Sequence, residues 1–143
     1  MNKSLEYKEL KKLVTNRSYK IQDRYTYIEQ ILNIDTVKKS YGNHLFDKIT
    51  EIGLYFITTE KIIKVGMEPF IIKTYNLNDI QNTEVEMFNN SEITLKICME
   101  DNTIIEFNNK KDAPEDWENT YLECIFDISN YLVNLKAKSN EIK

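Results

Sequence analysis

The chain has 143 residues, of which 41% are hydrophobic and 11% aromatic, enough for a single domain over 1–143 to bury a core without disulfides or metal. Its formal net charge is −4 and its only arginines are Arg17 and Arg24, which argues against a nucleic-acid binder, since that role needs surplus cations to neutralise phosphates. No stretch reaches the roughly 18 apolar residues of a membrane span, and Met1 to Lys12 is charged throughout rather than signal-like, so the expectation is a cytoplasmic protein.

In chain order, residues 4–40 read as a helical segment. Ser4 is placed to cap a first helix with Glu6 in its first turn, and Tyr7, Leu10, Leu13 and Val14 recur at helical spacing. Asn16 to Ser18 breaks that pattern. Ile21, Tyr25, Ile28 and Leu32 then form a second stripe, so two short helices each present one apolar face to something else. The polar stretch from Asp35 to Asn43 predicts a helical turn and then a loop.

From Ile52 the period changes to that of strands. Ile52 to Ile57 is a continuous run of strand formers, Thr58-Thr59-Glu60 a turn, and Lys61 to Val65 the returning strand. Gly66 and Pro69 punctuate its end, Phe70 to Tyr75 makes a third strand, and Asn76 to Asp79 a turn. Thr83 to Phe88 alternates Val85 and Met87 with Glu84 and Glu86, as an edge strand does. Ile93, Leu95, Ile97 and Met99 alternate with polar neighbours and must meet Ile105 and Phe107 on the return. A two-residue loop would set Ile97 against Glu106. A three-residue loop restores apolar against apolar and places Asn102 near the left-handed conformation.

Asp112, Ala113, Pro114 and Glu115 look like the capped start of a long helix. Trp117, Tyr121, Cys124, Ile125, Ile128, Leu132 and Leu135 form its broad apolar face, and Leu122, Phe126 and Val133 a second stripe. A homodimer through this helix is one expectation. Fraying is predicted from Ala137 to Lys143.

The signals for chemistry are weak. His44 is the only histidine, so an imidazole-based metal site lacks a second ligand. Cys98 and Cys124 form no CxxC pair and read as small hydrophobes. Asp79, Glu84, Glu86, Asp101, Glu106, Asp112, Glu115, Asp116 and Glu118 fall in turns, edges or the start of the last helix, where solvation and capping explain them. Three glycines leave no phosphate-binding glycine-rich loop, so neither a catalytic constellation nor a cofactor is expected. Lys61, Lys64 and Lys73 are the candidate face for an anionic ligand or partner, read against ordinary solvated strand lysines. Tyr19, Tyr25, Tyr27 and Tyr41 offer the amphipathic area that interfaces favour, or helix packing on the sheet.

The segment Gly53 to Val65 resembles the opening hairpin of bacterial pleckstrin-homology-like and GRAM-like domains: a Gly, an apolar strand, a Thr at the turn, and a second apolar strand. Tyr75 to Ile80 resembles their following turn, Ile93 to Phe107 the later hairpin, and Trp117 to Leu135 the closing helix, a likeness covering about residues 45–136. The lipid-binding members carry clustered Lys and Arg at the first hairpin loop, where this chain has Thr58, Thr59 and Glu60 with Lys61 alone, so phosphoinositide binding is not implied. The whole chain is also similar in character to small proteins of low-GC Gram-positive bacteria, a likeness that implies no activity.

The expected fold is therefore α+β. A bent antiparallel sheet of six or seven strands forms a partly open, pleckstrin-homology-like barrel over 45–138. A long C-terminal helix closes it, and the N-terminal helices pack outside. The expected function is a non-enzymatic binding module with a protein partner, engaged through a sheet edge such as Thr83 to Phe88 or the outside of the last helix. Peripheral membrane or anionic-ligand binding is the alternative. A small acidic immunity- or antitoxin-like protein facing a basic partner is a third reading.

Overall fold

The computed structural model describes residues 3–142, with side chains described for 3–135. The fold is α+β, with antiparallel strands throughout. The chain divides into two compact units, Met1–Asp79 and Ile80–Lys143.

The first unit opens with two helices, α1 (Tyr7–Thr15) and α2 (Tyr19–Ile31). Ser18 caps α2 by accepting a hydrogen bond from the Ile21 N–H. Ser4 instead accepts from the Glu6 N–H, one step ahead of α1. Leu10 and Val14 of α1 and Ile21, Tyr25 and Ile28 of α2 are buried, along with Leu32, as their spacing requires.

Four strands follow in meander order: β1 (Lys39–Asn43), β2 (Gly53–Ile57), β3 (Lys61–Met67) and β4 (Phe70–Asn76). β1 corrects the loop expected before Asn43. Only Tyr41 in Lys39–Asn43 is a strong strand former, and the segment becomes a strand through its partner, with Tyr41 opposite Tyr55 and Gly42 opposite Leu54. Directly opposed residues share a sheet face. One face thus carries the rows Gly42–Leu54–Val65–Ile72 and Ser40–Phe56–Ile63–Thr74. Helix α1 lies on that face: the Tyr7 ring sits 5.5 Å from that of Phe56, and the Ser40 hydroxyl donates to the Leu5 carbonyl. The β2–β3 turn is closed by the Thr58 hydroxyl, which accepts from the N–H groups of Glu60 (3.1 Å) and Lys61 (2.9 Å).

The second unit holds β5 (Ile80–Phe88), β6 (Glu92–Met99), β7 (Ile104–Asn108) and α3 (Glu118–Ile142). Ile97 stands opposite Ile105 and Leu95 opposite Phe107, the register predicted from the alternation. The Met99 N–H donates to the Thr103 carbonyl and so closes a three-residue loop over 100–102, with Asn102 at φ 73° and its N–H donating to the Met99 carbonyl. The Asp101 carboxylate accepts from the Thr103 N–H at 2.9 Å, which holds its pKa below the ordinary value. Helix α3 packs on β6 and β7, burying Tyr121, Ile125, Ile128 and Leu132. Trp117 is half-buried edge-on to Tyr121, with ring centroids 6.5 Å apart. Residues 137–143, where fraying is predicted, fall beyond the described side chains.

Two features differ from expectation. The strands form two sheets, ordered β1-β2-β3-β4 and β5-β6-β7, and no ladder closes them into a barrel. A 3-10 turn at Leu77–Asp79 separates β4 from β5, and β5 takes β6 as its only strand partner. Pro114 rather than Asp112 takes the N-cap position of the 3-10 turn Glu115–Trp117 that leads into the last helix. The Asp112 carboxylate accepts from the Asn108 N–H at 2.9 Å and closes a loop that buries Asn108 and Asn109.

Candidate interaction surface

β5 is the first strand of its sheet, and one of its long edges has no strand partner. Among the described residues, the only backbone hydrogen bond from residues 83–88 outside the β5–β6 ladder runs from the Ser91 N–H to the Phe88 carbonyl. Among the described residues, the outer-edge N–H and C=O groups of 83–88 therefore have no strand partner. Val85 stands opposite Leu95 and Met87 opposite Ile93, so both lie on the face that α3 covers over β6 and β7. Leu95 and Ile93 are fully buried, whereas Val85 is 44% and Met87 39% exposed. The core face of the sheet thus continues past the helix as an uncovered apolar margin.

On the other face of β5 lie Asn82, Glu84, Glu86 and Phe88, the last 47% exposed. Glu84 is opposite Lys96, Glu86 opposite Thr94 and Phe88 opposite Glu92. Lys96 is also opposite Glu106 on β7, so one cation lies between two carboxylates. A bulge between Ile80 and Asn82 disturbs the ladder at one end, but residues 83–88 contain no Pro, Gly or Lys of the kind that blunts natural edges.

The three lysines singled out in the sequence do not share a face. Lys64 and Lys73 stand directly opposite each other, in the row Tyr41–Tyr55–Lys64–Lys73, and the Lys64 ammonium lies 5.9 Å from the Tyr55 ring centroid. Lys61 is opposite Asn76, an odd number of residues from Lys64, and so belongs to the other face. That separation was legible in the sequence, because residues three apart on a strand point to opposite sides. Of the four tyrosines, Tyr25 and Tyr41 are buried, while Tyr19 and Tyr27 are exposed. Tyr27 and Ile31 are an exposed apolar pair one turn apart on α2 that sequence reasoning missed and that their i, i+4 spacing could have revealed.

A polar cluster joins α1 to α2. The Tyr7 hydroxyl donates to Glu29 Oε2 at 2.8 Å, and Lys11 Nζ donates to Glu29 Oε1 and Oε2 at 2.8 and 2.9 Å. Burial pushes the phenols of Tyr7 and Tyr25 upward, so both stay protonated. Burial also pushes Glu29 up, but the hydrogen bonds from Lys11 and Tyr7 outweigh it and hold the carboxyl below its usual 4.5. The cluster behaves as a clamp between two helices, and its stabilisation is present above the unfolded carboxyl's pKa. It is lost as pH falls through the lower folded value. Glu29→Gln should cost about 1 kcal/mol near neutrality. In urea titrations taken toward pH 3, that gap between wild type and variant should close.

His44 follows β1 at φ 54°, on the surface, with Nδ1 3.0 Å from the Asp47 carboxylate. Cys98 and Cys124 are half-buried. Among the described residues, no three His, Cys, Asp or Glu side chains converge as metal ligands, and no helix is long and apolar enough to cross a membrane. No protein-family model matches the chain, and no curated protein sequence matches it.

Proposed function

We propose that this chain is a non-enzymatic binding module that engages another protein through the outer edge of β5. The observation that carries the reading is an edge strand of nine residues that exposes Val85 and Met87 on one face and Phe88 on the other. An added strand would satisfy the open main-chain groups and cover the apolar margin at once, which is how β-augmentation recognises extended segments. Binding of an anionic ligand or membrane at Lys61, Lys64 and Lys73 draws less support, since Lys61 stands on the opposite face.

Photo-crosslinking in the native host tests the proposal. A benzophenone amino acid replaces Phe88, with Phe126 and the 84% exposed Tyr19 as comparison positions. A defined adduct with a different protein is expected from position 88 and not from 19. No adduct at 88, or equal adducts at both, overturns the reading. The exposed Phe126 and Val133 on α3 favour a second reading, a homodimer through that helix, for which a self-adduct from position 126 is the corresponding result.

A further inference from the structure

From the charges flanking the open edge, we infer the chemistry of its partner: an extended segment of another protein in which apolar side chains alternate with Lys or Arg. This rests on the reading of β5 as a partner-binding edge and adds to it the kind of sequence that fits. On β5 the two faces differ in character. One offers Val85 and Met87, and the other Glu84 and Glu86. A strand laid along the edge places its side chains directly opposite these residues, alternating in the same way. Its inner positions must be apolar to meet Val85 and Met87. Its outer positions meet two carboxylates, of which Glu84 stands opposite Lys96 in register without an ion pair between them, and Glu86 faces the neutral Thr94. Among the described residues, neither Glu84 nor Glu86 forms an ion pair, so an incoming cation displaces no partner.

The same carboxylates disfavour a second copy of this chain. Two β5 strands meeting antiparallel about Val85 would set Glu84 of each opposite Glu86 of the other. Meeting about Glu84 or Glu86 would oppose identical carboxylates. Like charges directly opposed are destabilising. In registers centred on residues 84 to 86 the two glutamates thus oppose self-pairing of an edge that lacks Lys and Pro, and those glutamates accept a basic strand.

The test uses the full chain and two capped synthetic peptides of about seven residues, one alternating Val with Lys and one alternating Val with Glu. Calorimetry gives affinity, and amide hydrogen exchange gives the place. The Val/Lys peptide should bind about tenfold more tightly than the Val/Glu peptide, a ratio set by two cross-strand charge pairs. It should also slow exchange within residues 83–88. In the E84K/E86K chain the preference should invert. Equal binding of both peptides, with slowed exchange at 83–88, overturns the basic-partner inference and leaves the edge reading standing. No binding and no change in exchange overturns the inference, and a Phe88 adduct then decides separately whether the edge reading survives. Dimerisation of the unmodified chain through 83–88, seen as concentration-dependent protection there, also overturns it.

Discussion

Asn109→Ala should lower the stability of the second unit by about 3 kcal/mol. Asn109 is fully buried just past the end of β7, and its amide uses both of its donor hydrogens and its carbonyl oxygen. Oδ1 accepts from the Ile93 N–H at 2.9 Å, and Nδ2 donates to the carbonyls of Ser91 and Glu118 at 3.0 and 3.1 Å. One side chain therefore ties the start of β6, the β5–β6 turn and the first residue of α3. Truncation leaves the Ile93 N–H without a partner beside a fully buried side chain, and an orphaned buried donor costs more than the bond itself was worth. Asn109→Asp should fare no better, because it turns an acceptor toward two carbonyls. The exposed Asn119, early in α3, is the control, and its change to Ala should stay within about 0.5 kcal/mol. Urea unfolding followed by the fluorescence of Trp117, which lies in the same unit, gives these differences directly.

A glycine pair in the first unit gives the second large effect, through packing. A Cβ built on Gly42 would lie 2.6 Å from Leu45 Cδ2 and 2.9 Å from Leu10 Cδ1. Both leucines are essentially fully buried, so neither has solvent to retreat into. On Gly66 the nearest atom to such a Cβ is the Pro69 carbonyl oxygen at 3.5 Å, an ordinary contact. Gly42→Ala should therefore cost about 2 kcal/mol through overpacking. Gly66→Ala should be neutral or stabilising by about 0.5 kcal/mol, since it restricts the unfolded chain. Chemical denaturation followed by circular dichroism distinguishes them, and equal losses would show that strand propensity rather than helix-on-sheet contact governs both positions.

These cases mark where the sequence was readable. The β6–β7 register followed from alternation, because only one loop length brings Ile97 to Ile105 and Leu95 to Phe107. The two helices followed from stripes that are now buried, and the edge position of β5 from the alternation of Glu84 and Glu86 with Val85 and Met87. β1 was hidden because a strand recruited by its neighbour need not carry a strong pattern of its own, and Lys39–Asn43 has one aromatic among polar residues. Asn108 to Asp112 is a run of polar residues with no periodicity. Its role comes from contacts between residues 14 to 18 apart, such as Asn108 Nδ2 with Thr94 Oγ1 at 2.8 Å, which no local pattern encodes. The split into two sheets was equally silent, since turn residues at Asn76 to Asp79 fit a continuing sheet as well as an interrupted one.

The strand order has a kinetic consequence. In each sheet every ladder joins strands adjacent in the chain, so the contacts that build it span short sequence separations. Low contact order of this kind favours rapid folding. It also suits vectorial synthesis, because the ladders of the first sheet are complete in sequence at Asn76, and nothing made later is needed to zip them.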